Sequence, residues 1–123
     1  MSAQAAAWSP NPVNPPQYFD LPTKDGQVQP LVAAKWSANS PLVMVSQYVP
    51  SLKQHGAIIL DVGDKGTLNT TNVELDKELT RLGIPHVFEQ YEGDHGNRIA
   101  ARLQNNLMTF FSQQLKFPEA RPR

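Results

Sequence analysis

The chain is predicted to be an α/β protein, with parallel strands and flanking helices, on three observations. Ala57-Ile58-Ile59-Leu60-Asp61-Val62 is a short, almost wholly apolar run ending at Gly63, the pattern of a parallel strand covered on both faces. His86-Val87-Phe88-Glu89-Gln90-Tyr91 is a second run of strand length. Between them Leu75, Leu79 and Leu82 recur at helical spacing, and a helix joining two strands so far apart implies parallel pairing through a right-handed crossover.

Taken in order, residues 1–40 are expected to form a proline-rich, irregular arm. Ser9-Pro10-Asn11-Pro12 and Asn14-Pro15-Pro16 remove backbone donors and prevent regular ladders up to Pro30. Trp8, Tyr18, Phe19 and Leu21 are costly to leave in water and are expected to dock. Lys24-Asp25-Gly26 is read as a tight turn. Leu31 to Trp36 and Leu42 to Tyr48 are short apolar runs whose flanks favour helix. Ser40 suits an N-cap, Pro41 the first helical position, and Pro50 limits the helix.

Residues 41–123 are expected to form a strand-helix-strand-helix unit, the two parts making one domain. Thr71-Asn72-Val73-Glu74 matches a capping box at the start of the crossover helix, and Gly83 and Pro85 stop it. Ile99, Leu103, Leu107, Phe110, Phe111 and Leu115 give the apolar stripe of a closing helix.

Bulk properties narrow the function classes. A length of 123 residues is the size of one domain. With 11 basic and 11 acidic residues the net charge is zero, which offers no field to gather nucleic acid or an anionic membrane. No run approaches the roughly 20 apolar residues of a membrane helix, and Met1 to Trp8 is too short and uncharged for a secretory signal, so the chain is read as soluble with its compartment undetermined. The absence of cysteine excludes disulfides, thiolate metal sites and cysteine nucleophiles.

In parallel sheets reactive groups gather at the carboxyl ends of the strands. Two loops qualify here, Gly63-Asp64-Lys65-Gly66-Thr67 and Glu92-Gly93-Asp94-His95-Gly96-Asn97. If their strands are neighbours, Asp64 and His95 approach at one rim. A carboxylate there would hold the imidazole in one tautomer and stabilise its protonated form, as a base activating a serine requires.

Ala7-Trp8-Ser9-Pro10-Asn11-Pro12, Asn14-Pro15-Pro16, Tyr18-Phe19-Asp20-Leu21-Pro22, Asp61-Val62-Gly63-Asp64-Lys65 and above all Tyr91-Glu92-Gly93-Asp94-His95 resemble the C-terminal portion of serine esterases of the α/β-hydrolase class, related in fold to esterase D and the enterochelin esterases. The resemblance covers nearly the whole chain. It implies a partial α/β-hydrolase-like fold in which His95 stands where the family's catalytic histidine stands, with no cofactor. Three departures accompany it. The family's nucleophile lies in a Gly-x-Ser-x-Gly turn, and this sequence contains no such pentapeptide. The family's acid usually follows the strand-ending glycine by three residues, which is Gly66 here, leaving Asp64 as a neighbouring carboxylate. The strands that carry the oxyanion hole are also missing.

Each candidate has a plainer reading beside it. His95 is either the remnant of a triad, which the motif favours, or an ordinary loop residue. Asp64 is a vestigial acid or a turn residue bonding its own loop. Asp94 is read as an N-cap of the closing helix, accepting from a backbone N–H near Asn97. His86, Glu89 and His95 do not make a zinc site, because residues three apart on a strand face opposite ways. His55 and His86 are read as structural. Ser46 lacks a strained turn to expose it as a nucleophile, and Trp8, Trp36, Phe110 and Phe111 are read as packing residues.

A sheet of two strands leaves edges open. The fold is therefore expected to be completed by oligomerisation, as a homo-oligomer such as a swapped dimer, or by a complementary hydrolase fragment. The sequence thus predicts a hydrolase-derived domain that keeps the histidine loop but lacks autonomous ester hydrolysis. Two alternatives stand beside it: a non-catalytic binding or assembly module, and a carboxylesterase active only with a complementary chain.

Overall fold

The structure is a computed structural model that describes residues 2–116; residues 117–123 of the expected C-terminal unit lie outside them. The chain divides into two compact units, Met1–Gln47 and Tyr48–Arg123.

In the first unit, an alanine-rich helix α1 (Ser2–Trp8) precedes the proline-rich segment, and a second helix α2 (Pro30–Ala38) follows it. The arm is therefore not irregular throughout. Trp8 meets Trp36 of α2 edge-to-face, with ring centroids 5.3 Å apart. Ser9 is fully buried beneath them. Its hydroxyl accepts the Trp36 indole N–H at 2.8 Å and donates to the Asp20 carbonyl at 2.6 Å, which ties the loop to both helices. Phe19 is half-buried, but Tyr18 is 57 % exposed and Leu21 is also exposed, contrary to the expectation that both dock. The Tyr18 backbone explains this. It is held at a φ of 58°, with its carbonyl accepting Asn11 N–H and its own N–H donating to Asn14, so the side chain stands out from the loop.

The expected turn closes a small antiparallel hairpin, β1 (Thr23–Lys24) with β2 (Gln27–Val28). Asp25 and Gly26 both take positive φ, 50° and 75°, as a two-residue hairpin loop of right-handed twist requires. Helix α3 (Pro41–Met44) starts at Pro41 as expected. Ser40 occupies the N-cap position without donating or accepting a side-chain cap bond. A 3-10 turn (Val45–Gln47) then ends the run.

In the second unit, α4 (Val49–Lys53) carries Pro50 in its first turn. Strand β3 (Ile59–Gly63) pairs in parallel with β4 (Val87–Tyr91), from Ile59 opposite Val87 to Gly63 opposite Tyr91. The crossover is α5 (Asn69–Arg81). It begins two residues before the expected capping box, because Leu68 already has helical backbone angles. Thr71 therefore lies inside the helix, where its hydroxyl donates to the Leu68 carbonyl at 3.0 Å instead of capping. The end of α5 is as expected. Gly83 at φ 63° lets its own N–H reach the Thr80 carbonyl and the Ile84 N–H reach that of Leu79, both at 3.0 Å. Leu79 and Ile84 are buried there.

Residues 99–114 form the closing helix, in three parts: α6 (Ile99–Arg102), a π turn (Leu103–Leu107) and α7 (Met108–Gln114). Strand alternation gives each sheet face its own helix. Asp61 and Glu89 meet the closing helix through Arg102, while Gln90 on the other face meets Asn69 of α5. Two expectations about burial fail. In β3 only Val62 and Gly63 are buried, and in the closing helix Leu107 and Phe110 are half-buried while Ile99, Leu103, Phe111 and Leu115 are exposed. A two-stranded sheet is too narrow to cover either. What is shown is a mixed fold with a small parallel sheet and flanking helices, and among the described residues no helix is long and apolar enough to cross a membrane.

Candidate functional site

Parallel pairing in this register sends the loops after Gly63 and Tyr91 out of the same rim, as expected if the two strands are neighbours. They are bonded to each other. Asp64 N–H donates to the Tyr91 carbonyl and Lys65 N–H to the Gly93 carbonyl, each at 2.9 Å. The Asp64 carboxylate accepts the Gly93 N–H, also at 2.9 Å. Gly63 is needed for this approach, since a Cβ there would fall against the backbone oxygens of Gly93 and Asp94.

Asp64 and His95 are thus brought to one rim but are not joined. The Asp64 carboxylate is turned to the neighbouring loop, a third arrangement beside the vestigial acid and the residue bonding its own loop. His95 is exposed, and among the described residues its ring forms no hydrogen bond. It borders a cleft of about 350 Å3 with Gly66, Leu68, Asn72, Ile99 and Leu107. Gly66, at the position the resemblance implies for the acid, does face this loop: a Cβ there would lie 3.5 Å from the His95 backbone nitrogen.

Asp94 accepts the Gly96 and Asn97 N–H groups at 2.7 and 2.8 Å. Those two donors hold its carboxyl below the usual carboxylate range. The bond near Asn97 is as expected, but the helix starts later, at Ile99 with Arg98 in the N-cap position. Asp94 therefore closes the turn before the helix and does not cap the helix itself.

Sequence reasoning missed the strongest electrostatic group. Asp61 and Glu89 are register partners on the paired strands, so their carboxylates stand side by side on one face and repel. Arg102 of α6 bridges them, its single positive charge offsetting one of the two negative charges. Its Nε and Nη2 donate to Asp61 at 3.0 and 3.1 Å, and Nη2 also donates to Glu89. Asn106 donates to Glu89 at 3.1 Å, and the guanidinium lies 5.1 Å from the Tyr91 ring centroid. The hydrogen bond to Asp61, with Glu89 adding to it against partial burial, raises Arg102 further above its ordinary value. The available signal was one acid at the middle of each apolar strand.

His86 and Glu89 face opposite sides of the sheet. His86 points to α5, with Nε2 2.9 Å from the Asp76 carboxylate and Nδ1 2.8 Å from the Ile84 carbonyl. Both neighbours are acceptors, so the ring satisfies both only when doubly protonated. Burial pulls its pKa down, but the Ile84 and Asp76 bonds outweigh this and raise it. Among the described residues no cluster of three or more histidine and carboxylate side chains is placed to hold a metal. His55 is exposed in the turn before β3. Ser46, in the 3-10 turn, donates to the Val43 carbonyl at 3.4 Å and has no strained backbone to display it. No protein-family model matches the chain, and no curated protein matches it significantly.

Proposed function

We propose that the chain is an α/β-hydrolase-derived domain that retains a histidine at the strand rim and has no autonomous ester hydrolysis. The observation that carries this reading is the Asp64 carboxylate on the Gly93 amide. An imidazole that serves as general base needs a partner to fix its tautomer and a hydroxyl to deprotonate, and the oxygen best placed to supply the first holds a loop instead. The absence of a Gly-x-Ser-x-Gly turn from the sequence supports the same conclusion. A second reading, a carboxylesterase completed by another chain, is favoured by the open cleft beside the exposed His95 ring.

The test is incubation of the purified chain with a fluorophosphonate probe and a short-chain activated ester, beside a His95→Ala variant of confirmed fold. The expected result is no covalent labelling and the same slow ester cleavage as other exposed histidines give. Serine labelling together with turnover that disappears in His95→Ala would overturn the proposal.

A further inference from the structure

The closing helix does not run as one regular α-helix. At the π turn the Met108 N–H reaches back five residues to the Leu103 carbonyl, where an α-helix reaches back four. A π turn carries one residue more than the α-helical turn it replaces, so everything after it is set back by about 100° around the axis.

That setback decides which side chains meet the sheet. Arg102 fixes the direction, since its guanidinium bonds Asp61 and Glu89 on one face of β3 and β4. In an uninterrupted α-helix the residues that follow Arg102 on that side are Asn106, Thr109 and Gln113, at the spacing of a single helical face. Leu107 and Phe110 would stand about 140° and 80° away around the axis. The observed burial is different. From Arg102 to Lys116 the half-buried residues are Arg102, Asn106, Leu107 and Phe110, while Thr109 and Gln113 are exposed. Side chains spread so widely on a straight helix come to one side only when a residue between Arg102 and Leu107 is taken up as an insertion. Asn106, within the turn, still reaches Glu89 at 3.1 Å.

We propose that the π turn is a one-residue insertion that gives the rim cleft its apolar wall. With it, Leu107 stands beside Ile99 and Arg102 in the lining of the cleft that His95 borders. On the other side of the helix Phe110 shares a smaller cleft with Ile59 and Val87 of the sheet. Without it, Asn106 would take the direction of Leu107, and Thr109 that of Phe110. An amide would then line the rim cleft, and a hydroxyl would be turned toward the apolar side chains of Ile59 and Val87, with a desolvation cost that Phe110 avoids. The bonds from Arg102 and Asn106 tie the turn at both ends to the one Glu89 carboxylate. The sheet thereby fixes where the extra residue sits. The inference is independent of the chemistry of His95.

The chain contains no cysteine, so single cysteines introduced into the full chain report the helix register through their rates of alkylation by iodoacetamide in the folded state. Thr109→Cys and Gln113→Cys are expected to react as exposed thiols, and Leu107→Cys and Phe110→Cys at least about threefold more slowly. Deletion of Gln104, an exposed residue of the turn, is expected to leave a regular helix in which Phe110→Cys still reacts more slowly than Thr109→Cys. The rates measured without the deletion decide the question if the shortened chain misfolds. Thr109→Cys reacting as slowly as Phe110→Cys overturns the proposal, and so does a folded deletion variant in which the order of the two is lost.

Discussion

The Asp64 carboxylate accepts the backbone N–H of Gly93 at 2.9 Å and so fastens the loop after β3 to the loop after β4. A carboxylate two residues before Gly66 in such a rim would be read as catalytic from order alone only if its direction were unknown; in the folded chain it serves the geometry of the rim. Gly93 is buried, so the loss of this bond leaves a backbone donor with little access to water.

Asp64→Ala is therefore expected to destabilise the second unit by about 1 kcal/mol, and Asp64→Asn, which keeps an acceptor oxygen, by much less. Urea denaturation of the three proteins measures the difference. Equal losses for both variants would show that charge, not the accepted hydrogen bond, is what the rim uses.

Arg102→Met is expected to cost about 1–3 kcal/mol, because it strands two adjacent carboxylates that water reaches only in part. Asp61 is the less accessible of the two, its side chain 12 % exposed. The double variant Arg102→Met with Asp61→Asn is expected to recover much of the loss, since the repulsion has been removed with the cation. Thermal unfolding of the single and double variants checks this, and additive losses would contradict it.

His86 links stability to pH. Its folded pKa is raised above the ordinary histidine value, so its contribution is fully present below the unfolded pKa and is lost as pH rises through the folded one. Urea midpoints measured from about pH 5 to about pH 9 are expected to fall more steeply for the unmodified chain than for His86→Gln. Parallel profiles would mean that folding leaves the ring's proton affinity unchanged, and a relative gain in stability with rising pH would mean that burial outweighs the Asp76 and Ile84 bonds.

Local chemistry in the sequence was enough to locate both parallel strands, the glycine-terminated crossover helix, the Asp25-Gly26 turn and the two loops that share a rim, because each depends on residues within one turn or one strand. Those features are set by backbone preference and by the period of apolar side chains. Where a side chain points, and how much of it water reaches, depends on what lies across from it. Only the tertiary structure decided that Asp64 holds Gly93 rather than His95, that Asp61 and Glu89 share Arg102, and that the stripe from Ile99 to Leu115 lies largely open. These are relations between residues distant in sequence, and strand register together with the narrowness of a two-stranded sheet settles them.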